Sequence, residues 1–456
     1  MTHHPARVRG RRTAARWTAG LAAAALAPLA VATGAPASAT TPEGVASAPL
    51  LRAVEFSTTV RTESQLRRAV KRANQREGVD RIVLADDIRF ADPRGAGRGG
   101  PLAGDLDVTD DLVVLGDGHT INARGVDRVF DVTAGTTVRL QALTLRNGAP
   151  AETESGGAVR SEGTVSLVGV EVRGSTVTGE GASGGAVMND GGTLRVVDSV
   201  LGGNSAVRAG GAIEADGGST TVRGTTLQAN RTGDLPGNGG GLHLTGAGDV
   251  VVRDSLVVRN VAGAEGGGLW NSADGTMVVT NTVLRRNRAL GDEATNGGGA
   301  LFNDGGTLRV VDSVATANRA TGASGSGGGL LDDQGTVALT GVRLVGNTAV
   351  RAGGAIETNI GTVRIVDTSA LRNSAGDAPG NGGALHLTGA AAVTWRAGDV
   401  TGNDSAAEGG GLWNSDTGTL ITIGVTVAGN TAPVSPDNHN DGGLFLADGI
   451  PVLPAS

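Results

Sequence analysis

Apolar and polar residues alternate along most of the chain in short runs, such as those at residues 193–196 (TLRV) and 307–310 (TLRV). Runs of this kind, rich in valine, threonine and leucine, predict β-strands, whereas helices would repeat their apolar residues every three or four positions. A glycine doublet followed by a small and then an aliphatic residue, here called the glycine marker, interrupts the pattern regularly. The small residues of the markers are Ala158, Ala186, Ala212, Gly241, Gly268, Ala300, Gly329, Ala355, Ala384, Gly411 and Gly443.

The spacings between glycine markers predict a solenoid. They are 28, 26, 29, 27 and 32 residues, followed by 29, 26, 29, 27 and 32 residues. A period of this length is typical of stacked units that bury their apolar sides against each other. Five coils form a larger unit that is duplicated, because Ala206–Glu214 returns at Ala349–Glu357. We therefore predict an all-β, single-stranded parallel β-helix with regular coils over about residues 142–446.

A recurrent asparagine ends the strand before most of the variable loops. We expect these amides to stack and hydrogen-bond along the solenoid axis as a structural ladder, and asparagine also tolerates the left-handed backbone of a tight turn. The coil near Gly174 lacks this residue. The ladder asparagines are Asn147, Asn204, Asn230, Asn260, Asn287, Asn318, Asn347, Asn373, Asn403 and Asn430.

One helix is predicted at about residues 62–76, where Thr62 is a suitable N-cap and Gly78 lies beyond the end. Its apolar face consists of Leu66, Ala69, Val70 and Ala73. The open end of a solenoid exposes apolar side chains and unpaired strand groups. We therefore predict that this helix caps the first coil.

The N-terminal segment predicts export. Five arginines precede an apolar run that starts at Trp17, and Ala37–Ala39 supplies a small-residue cleavage pattern, so residues 1–39 are predicted to be a signal peptide. A membrane anchor is the alternative, but about 15 apolar residues are fewer than the roughly 20 that a spanning helix needs. The general secretory and twin-arginine routes both stay open. Residues 40–53 are predicted to be a polar linker, and residues 54–456 the β-helix domain of a secreted, extracellular protein that does not span the membrane.

Composition narrows the chemistry. The chain has 456 residues, no cysteine and a formal net charge of -7. Disulfides, thiolate metal sites and cysteine nucleophiles are therefore excluded, and the overall charge does not favour a nucleic-acid partner. The 78 glycines fall at fixed positions of the repeat, which favours ordered turns over a flexible low-complexity tail.

The glycine markers and the asparagines together resemble the right-handed parallel β-helix repeats of the pectin-lyase-like superfamily. The likeness is to secreted and surface proteins with paired Gly-Gly-Ala-Ile and Asn motifs, such as polymorphic outer-membrane proteins and adhesins. Residues 64–74, SQLRRAVKRAN, also resemble the Cys-Ser-Leu-Arg-Glu-Ala start of some bacterial secreted proteins, without the cysteine. The resemblance spans roughly residues 56–446. It implies a right-handed β-helix, a scaffold that hosts lyases, hydrolases, adhesins and structural proteins.

The residue after each aliphatic marker position is predicted to point out of the coil, because side chains alternate along a strand. We expect this column of residues to form a stripe that stacks on sugar rings or anchors a partner. The alternative is that loops cover the column and its rings are ordinary packing. The candidate binding residues are Trp270, Trp413, Phe302, Phe445, His243, His386, Glu214 and Glu357.

Two further chemistries are possible in the same region. Glu214 with His243, and Glu357 with His386, are expected on adjacent coils as acid and base. The two glutamates lie five coils apart, roughly 24 Å at the strand spacing, and so cannot act on one glycosidic bond.

An acidic group is the second possibility. The alternation along the strands places three acidic side chains on the same side of adjacent coils, namely Asp190, Glu214 and Asp216. This arrangement suggests a calcium site or a catalytic pair. The alternative is that they are solvated residues that cap turns. No other cofactor is predicted.

The sequence thus favours a secreted or cell-surface protein with a binding, adhesion or structural role, which contacts polysaccharide or a surface partner along one face. The competing class is a polysaccharide lyase or glycoside hydrolase. The chain carries none of the Gly-His-Gly or Arg-x-Pro-x-x-Arg signatures of pectin-degrading enzymes, and we assign no catalytic residue.

Overall fold

A computed structural model describes residues 54–91, 104–234, 236–377 and 379–455. The predicted signal peptide, residues 1–39, and the predicted linker, residues 40–53, lie outside this part of the chain. The described residues form a parallel β-solenoid of about 14 turns with one helix near its start. The prediction of an all-β parallel β-helix with an N-terminal helix is confirmed.

Strands at equivalent positions of successive coils pair in parallel and form four rows, named here in chain order within a coil. The first row contains Leu106–Val108, Phe130–Val132, Val159–Ser161, Val187–Asp190, Leu269–Asn271, Leu301–Asp304, Leu330–Asp333, Ile356–Asn359, Leu385–Thr388, Leu412–Asn414 and Asn438–Asn440. The second row contains Val54–Val60, Val79–Leu84, Leu112–Leu115, Thr137–Gln141, Thr164–Val168, Thr193–Val197, Thr276–Thr280, Thr307–Val311, Thr336–Thr340, Thr362–Val366 and Leu444–Ala447. Two long strands, Ile213–Arg223 and Leu242–Arg253, run through both rows.

The third row lies beyond a tight corner from the second. It contains Ile88–Arg89, Thr120–Asn122, Thr144–Arg146, Glu171–Arg173, Val200–Gly202, Thr226–Gln228, Leu256–Val258, Val283–Arg285, Val314–Thr316, Arg343–Val345 and Ser369–Leu371. Ala392–Thr401 and Thr419–Ala428 join the second and third rows. The fourth row contains Ser205–Ala206, Arg231–Thr232, Val261–Ala262, Arg288–Ala289, Arg319–Ala320, Thr348–Ala349, Ser374–Ala375 and Asp404–Ser405.

The core is the narrow interior of the solenoid, filled by alternate residues of each strand. In Thr193–Val197, Leu194 and Val196 are fully buried while Arg195 between them is exposed. The parallel register stacks apolar residues of successive coils on each other, as Met277 pairs with Leu308 on the next coil. One continuous apolar cluster therefore runs from the first coil to the last.

Helix α1, Glu63–Ala73, covers the first coil as predicted. The Thr62 hydroxyl accepts a hydrogen bond from the Gln65 backbone N–H at 3.3 Å, and Leu66 is fully buried. At the other end Leu444–Ala447 pairs in an antiparallel direction with Ile450–Pro451. This hairpin ends the parallel stacking. Within the described residues no helix is long and apolar enough to cross a membrane.

The predicted asparagine ladder is present. Each side-chain amide nitrogen from Asn204 to Asn403 donates to the amide oxygen of the next ladder asparagine, as in the 3.0 Å bond from Asn260 to Asn287. The same nitrogen donates to a main-chain carbonyl, while each oxygen accepts a second bond from the preceding coil's backbone. Ser175 takes the ladder position in the coil that lacks asparagine. The buried amides are therefore saturated with hydrogen bonds.

The left-handed backbone expected at the asparagines lies one residue earlier in most coils. Arg259 and Arg286, which precede Asn260 and Asn287, have φ of 56° and 55°, and glycine fills this position in several other coils. Asn147 is itself left-handed, with φ of 53°. The preceding residue therefore makes the turn, and the asparagine contributes the hydrogen bonds along the solenoid axis.

A second ladder, of hydroxyl groups, was not predicted. At the corner between the second and third rows, each hydroxyl accepts a backbone N–H from the preceding coil and donates to a carbonyl two residues earlier in its own chain. Its members are Ser199, Thr225, Ser255, Thr282, Ser313 and Thr368. The sequence signal was available, because each follows a glycine, aspartate or asparagine that comes directly after a strand.

Candidate functional site

The column of first-row residues lies outside the solenoid interior but is covered. Leu269 and its equivalents belong to the interior core, whereas Trp270, Phe302 and Leu331 form a separate cluster on the opposite side of the strands. The exposed fraction is 7% for Trp270, 2% for Phe302 and 9% for Trp413. The expected outward direction is therefore found, but these aromatic faces are not open to solvent.

Loops that precede the glycine markers supply the cover. The Glu265 carboxylate accepts a hydrogen bond from Trp270 Nε1 at 3.0 Å and another from Asn296 Nδ2 at 2.7 Å. Burial raises the pKa of Glu265, against the lowering effect of these two bonds. Glu408 accepts in the same way from Trp413 Nε1 at 3.0 Å. Both indoles are thus fixed at their edges by a carboxylate five residues earlier.

The first glycine of each marker is required by the column itself. Gly266 has a left-handed φ of 62°, and a Cβ atom there would lie 2.9 Å from the Trp270 Cβ. Gly409 stands in the same relation to Trp413, at 3.1 Å. The marker therefore lets the covering loop approach the column side chain closely.

The placement of Phe445 in the column is wrong. Phe445 pairs with Leu420 in the second row, is 2% exposed and belongs to the interior core. His439 fills the column position beside Trp413 instead. Gly442 and Gly443 imitate a marker but form the turn after the first row, as Gly305 and Gly306 do in the sequence NDGG. The step from Trp413 to His439 is therefore shorter than the equivalent step from Trp270 to Phe302 in the first half of the duplication.

The remaining predicted pairs do meet. His243 Nδ1 lies 2.9 Å from Glu214 Oε1, and the Thr245 hydroxyl donates to the same oxygen at 2.6 Å. The His243 ring stacks on Trp270 with centroids 4.2 Å apart, and Phe302 follows at 6.1 Å. Because Glu214 holds Nδ1, only Nε2 of His243 is left for another partner.

The duplication repeats this arrangement. His386 Nδ1 lies 2.8 Å from Glu357 Oε2, Thr388 donates to Glu357 Oε1 at 2.7 Å, and the ring stacks on Trp413 at 4.2 Å. Arg208 and Arg351 approach the two glutamates at 3.9 and 3.5 Å. Six of the eight predicted binding residues thus lie in two equivalent groups. Each group contains a glutamate, a histidine, a tryptophan and one threonine that was not predicted, and Phe302 extends the stack of the first group.

A cleft of about 410 Å³ opens beside the first group. Its polar lining includes Arg208, Asn238, His243, Thr245, Ser272, Asp274 and Asp304, with Pro236 and Trp270 as apolar contacts. Burial, and then the neighbouring Asp333, raise the pKa of Asp304. The sequence column contained only two of these residues, because the others come from the covering loops and the turn after the first row. A smaller pocket of about 130 Å³ borders Glu357 and Thr388 in the second half.

The three predicted metal ligands are not assembled as a metal site. Asp190 accepts a bond from Arg160 Nη2 at 2.7 Å, whereas Glu214 is turned to His243 and Thr245. Asp216 pairs in register with Asp190, and burial followed by the charge of Glu214 raises its pKa. Within the described part of the chain, no group of three or more histidine, aspartate or glutamate side chains is placed to hold a metal ion. Shared strand parity was insufficient to bring the three together, because Asp190 and Glu214 are paired with different side chains.

Fold and site together define a parallel β-helix protein with a duplicated, loop-covered glutamate–histidine–tryptophan group. No protein-family model matches the chain, and no curated protein matches it.

Proposed function

We propose that this chain is a secreted or cell-surface binding protein of the pectin-lyase-like kind that its repeats resemble, and that carbohydrate docks in the cleft. The observation that supports this proposal is the cleft itself, preformed beside a rigid stack of His243, Trp270 and Phe302. Preformed clefts with a few converging polar groups are the usual form of a small-ligand site. A β-helix that is long and stiff suits display at the cell exterior.

The chemistry of the lining suits sugar hydroxyl groups. The side chains of Asn238, Thr245 and Ser272 offer hydroxyl and amide groups, and Asp274 offers an exposed carboxylate. Arg208 adds a planar donor at the same edge. Because histidine and phenylalanine already occupy the faces of Trp270, we expect sugar to contact the rim of the ring and the polar groups, rather than stack along the column.

A binding screen with matched variants tests this proposal. The protein is applied to a glycan array, and the strongest ligand is measured against the double variant Arg208→Ala/Asp274→Ala. The matched control is Arg351→Ala/Asp416→Ala, which changes the same residue types in the duplicated half. We expect the first variant to lose at least roughly tenfold in affinity, since it removes two direct polar contacts. Equal affinity for both variants and the parent protein would overturn the proposed site.

An enzyme of the polysaccharide lyase or glycoside hydrolase class is the second candidate. The cleft contains an imidazole oriented by Glu214 and a carboxyl group, Asp304, whose pKa is raised, and these are parts that acid–base catalysis uses. Depolymerisation assays on acidic and neutral polysaccharides, with calcium and with chelator, discriminate the two functions. Cleavage that disappears in both His243→Gln and Asp304→Asn would establish the enzyme in place of the binder.

A further inference from the structure

A cluster of exposed arginines follows one corner of the solenoid, where the third row meets the fourth. Four consecutive coils contribute to this surface, here called the arginine corner. Its members are Arg231, Arg259, Arg285, Arg286, Arg288 and Arg319, and all six are exposed.

The arginines lie in adjoining register positions. In the fourth row Arg231 pairs with Val261, which pairs with Arg288, which pairs with Arg319. Arg285 ends a third-row strand, and the Arg259 backbone N–H donates to its carbonyl at 3.0 Å. Since successive coils are about 4.8 Å apart, the six guanidinium groups are distributed along roughly 15 Å of the rod axis.

Internal ion pairs do not account for this cluster. None of the six guanidinium groups lies within 4.0 Å of a carboxylate in the described part of the chain, whereas Arg128 and Arg160 are each paired with several. The acidic turn residues of the same solenoid, such as Asp198, Asp254 and Asp312, line the preceding corner. That preceding corner also carries Arg223 and Arg253 at the ends of second-row strands, so it is mixed in charge, whereas the arginine corner is basic.

Backbone preference does not favour arginine here either. Arg259 and Arg286 have left-handed φ angles of 56° and 55°, at a position that Gly203 and Gly346 fill in other coils. A left-handed conformation is unfavourable for a residue with a Cβ atom. Arginine at these two turns therefore works against local stability without gaining an ion pair.

We infer that the arginine corner is a docking surface for a linear acidic polysaccharide that runs along the rod axis. In a chain with a net charge of -7, six unpaired positive charges at one edge produce a local field that attracts a polyanion. Guanidinium groups bind carboxylate and sulfate oxygens with two parallel hydrogen bonds. The register positions between the arginines hold Val258, Val261 and Thr316, so the surface offers no aromatic platform of the kind that stacks nucleic-acid bases.

The inference is independent of the cleft and is tested by its own variants. Binding of the protein to immobilised polygalacturonate, to dextran sulfate, to uncharged dextran and to double-stranded DNA is measured at low and at high salt. The test variant is Arg285→Gln/Arg286→Gln/Arg288→Gln. The matched control is Arg195→Gln/Arg309→Gln/Arg364→Gln, which removes three exposed arginines from scattered second-row positions and changes the net charge equally. The first two polymers separate a carboxylate ligand from a sulfate ligand.

We expect salt-sensitive binding to at least one acidic polysaccharide and none to dextran. The test variant should bind about tenfold more weakly, because exposed ion pairs are individually weak but three are lost together, while the control keeps its affinity. Arg208→Ala/Asp274→Ala should also keep it, which separates this surface from the cleft. Equal loss in both arginine variants would reduce the effect to net charge and overturn the inference. Absence of binding to both acidic polymers, or tighter binding to DNA through the same three arginines, would overturn it as well.

Discussion

Asp332 is a charged residue in a position that other coils fill with asparagine. Asn271, Asn303 and Asn414 hold the equivalent place at the end of their first-row strands. Asp332 is fully buried, and it accepts hydrogen bonds from Asn303 Nδ2 at 2.8 Å and the Thr358 hydroxyl at 3.2 Å. Burial raises its pKa to about 6, although these bonds act in the opposite direction. The surroundings of Asp332 therefore favour its protonated form more than water does.

The pH dependence of Asp332 can be predicted with its sign. A carboxyl group whose pKa is higher in the folded state stabilises the fold fully below its ordinary pKa of 3.8, and this contribution is lost as the pH rises through about 6. Asp332→Asn should restore a neutral donor and acceptor, raising the free energy of unfolding by on the order of 2 kcal/mol at neutral pH and less in acid. Urea midpoints measured across the acid-to-neutral range check this prediction. Asp312→Asn, at an exposed turn, is the control, and an equal gain at every pH would contradict the assignment.

For individual residues, the sequence predicts which side chains pair with each other better than it predicts what covers them. It placed Glu214 next to His243 and Glu357 next to His386, because register and side-chain alternation determine which side chains meet. It failed for Phe445, since an NDGG turn and a glycine marker share the same doublet. Asparagine at position 440 was the distinguishing signal, as it matches Asn303 before the equivalent turn.

The covering loop is the structural element that the glycine markers make possible. Gly266 and Gly424 have nearly the same φ, 62° and 61°, but a Cβ at Gly266 would lie 2.7 Å from the Leu269 carbonyl oxygen, whereas Gly424 has open space within 4 Å. Gly424→Ala should therefore cost only the left-handed penalty of about 1 kcal/mol. Gly266→Ala should cost several times more and should loosen the cover of Trp270.

Denaturation midpoints and tryptophan fluorescence of the two glycine variants measure this difference. We expect a red-shifted emission in Gly266→Ala as water reaches the indole, and unchanged emission in Gly424→Ala. Identical losses of stability in both variants would show that close packing against the column is unimportant.

Elements were predicted more fully than their connections. The alternation of Val, Leu and Thr predicts the strands. The asparagine ladder is predicted because asparagine recurs at the same position of most coils. The sequence does not decide whether loops cover the column, because the covering contacts join Glu265 to Asn296 on the next coil through residues of variable spacing. Such contacts depend on how closely a loop folds against the neighbouring coil, and the repeat period gives no information about this distance.

In the whole molecule, helix α1 covers the first coil, whose strands would otherwise be an exposed end of the solenoid. Leu66 of α1 is fully buried over that coil, so Leu66→Ala should lower stability by about 2–4 kcal/mol. Because the loosened helix would expose an edge strand, we also expect concentration-dependent association. Light scattering after size-exclusion chromatography, combined with hydrogen exchange of Val54–Val60, measures both effects. Leu453→Ala, where the side chain is 79% exposed, is the control, and equal behaviour of the two variants would contradict the capping role.

The asparagine ladder also gives the rod a direction. From Asn204 to Asn403 its side-chain amides donate toward the C-terminus, so their dipoles add instead of cancelling, and neighbouring amides in such a chain polarise each other. Asn147, before the coil that lacks asparagine, instead donates to Asn122 on the preceding coil at 3.0 Å. The series ends at Asp437, whose Oδ1 accepts from both Asn430 Nδ2 and the Asn430 backbone, at 2.8 and 3.1 Å. A carboxylate can accept these bonds but cannot pass one on. The amide ladder therefore ends at this carboxylate, just before the C-terminal hairpin ends the stacking of strands.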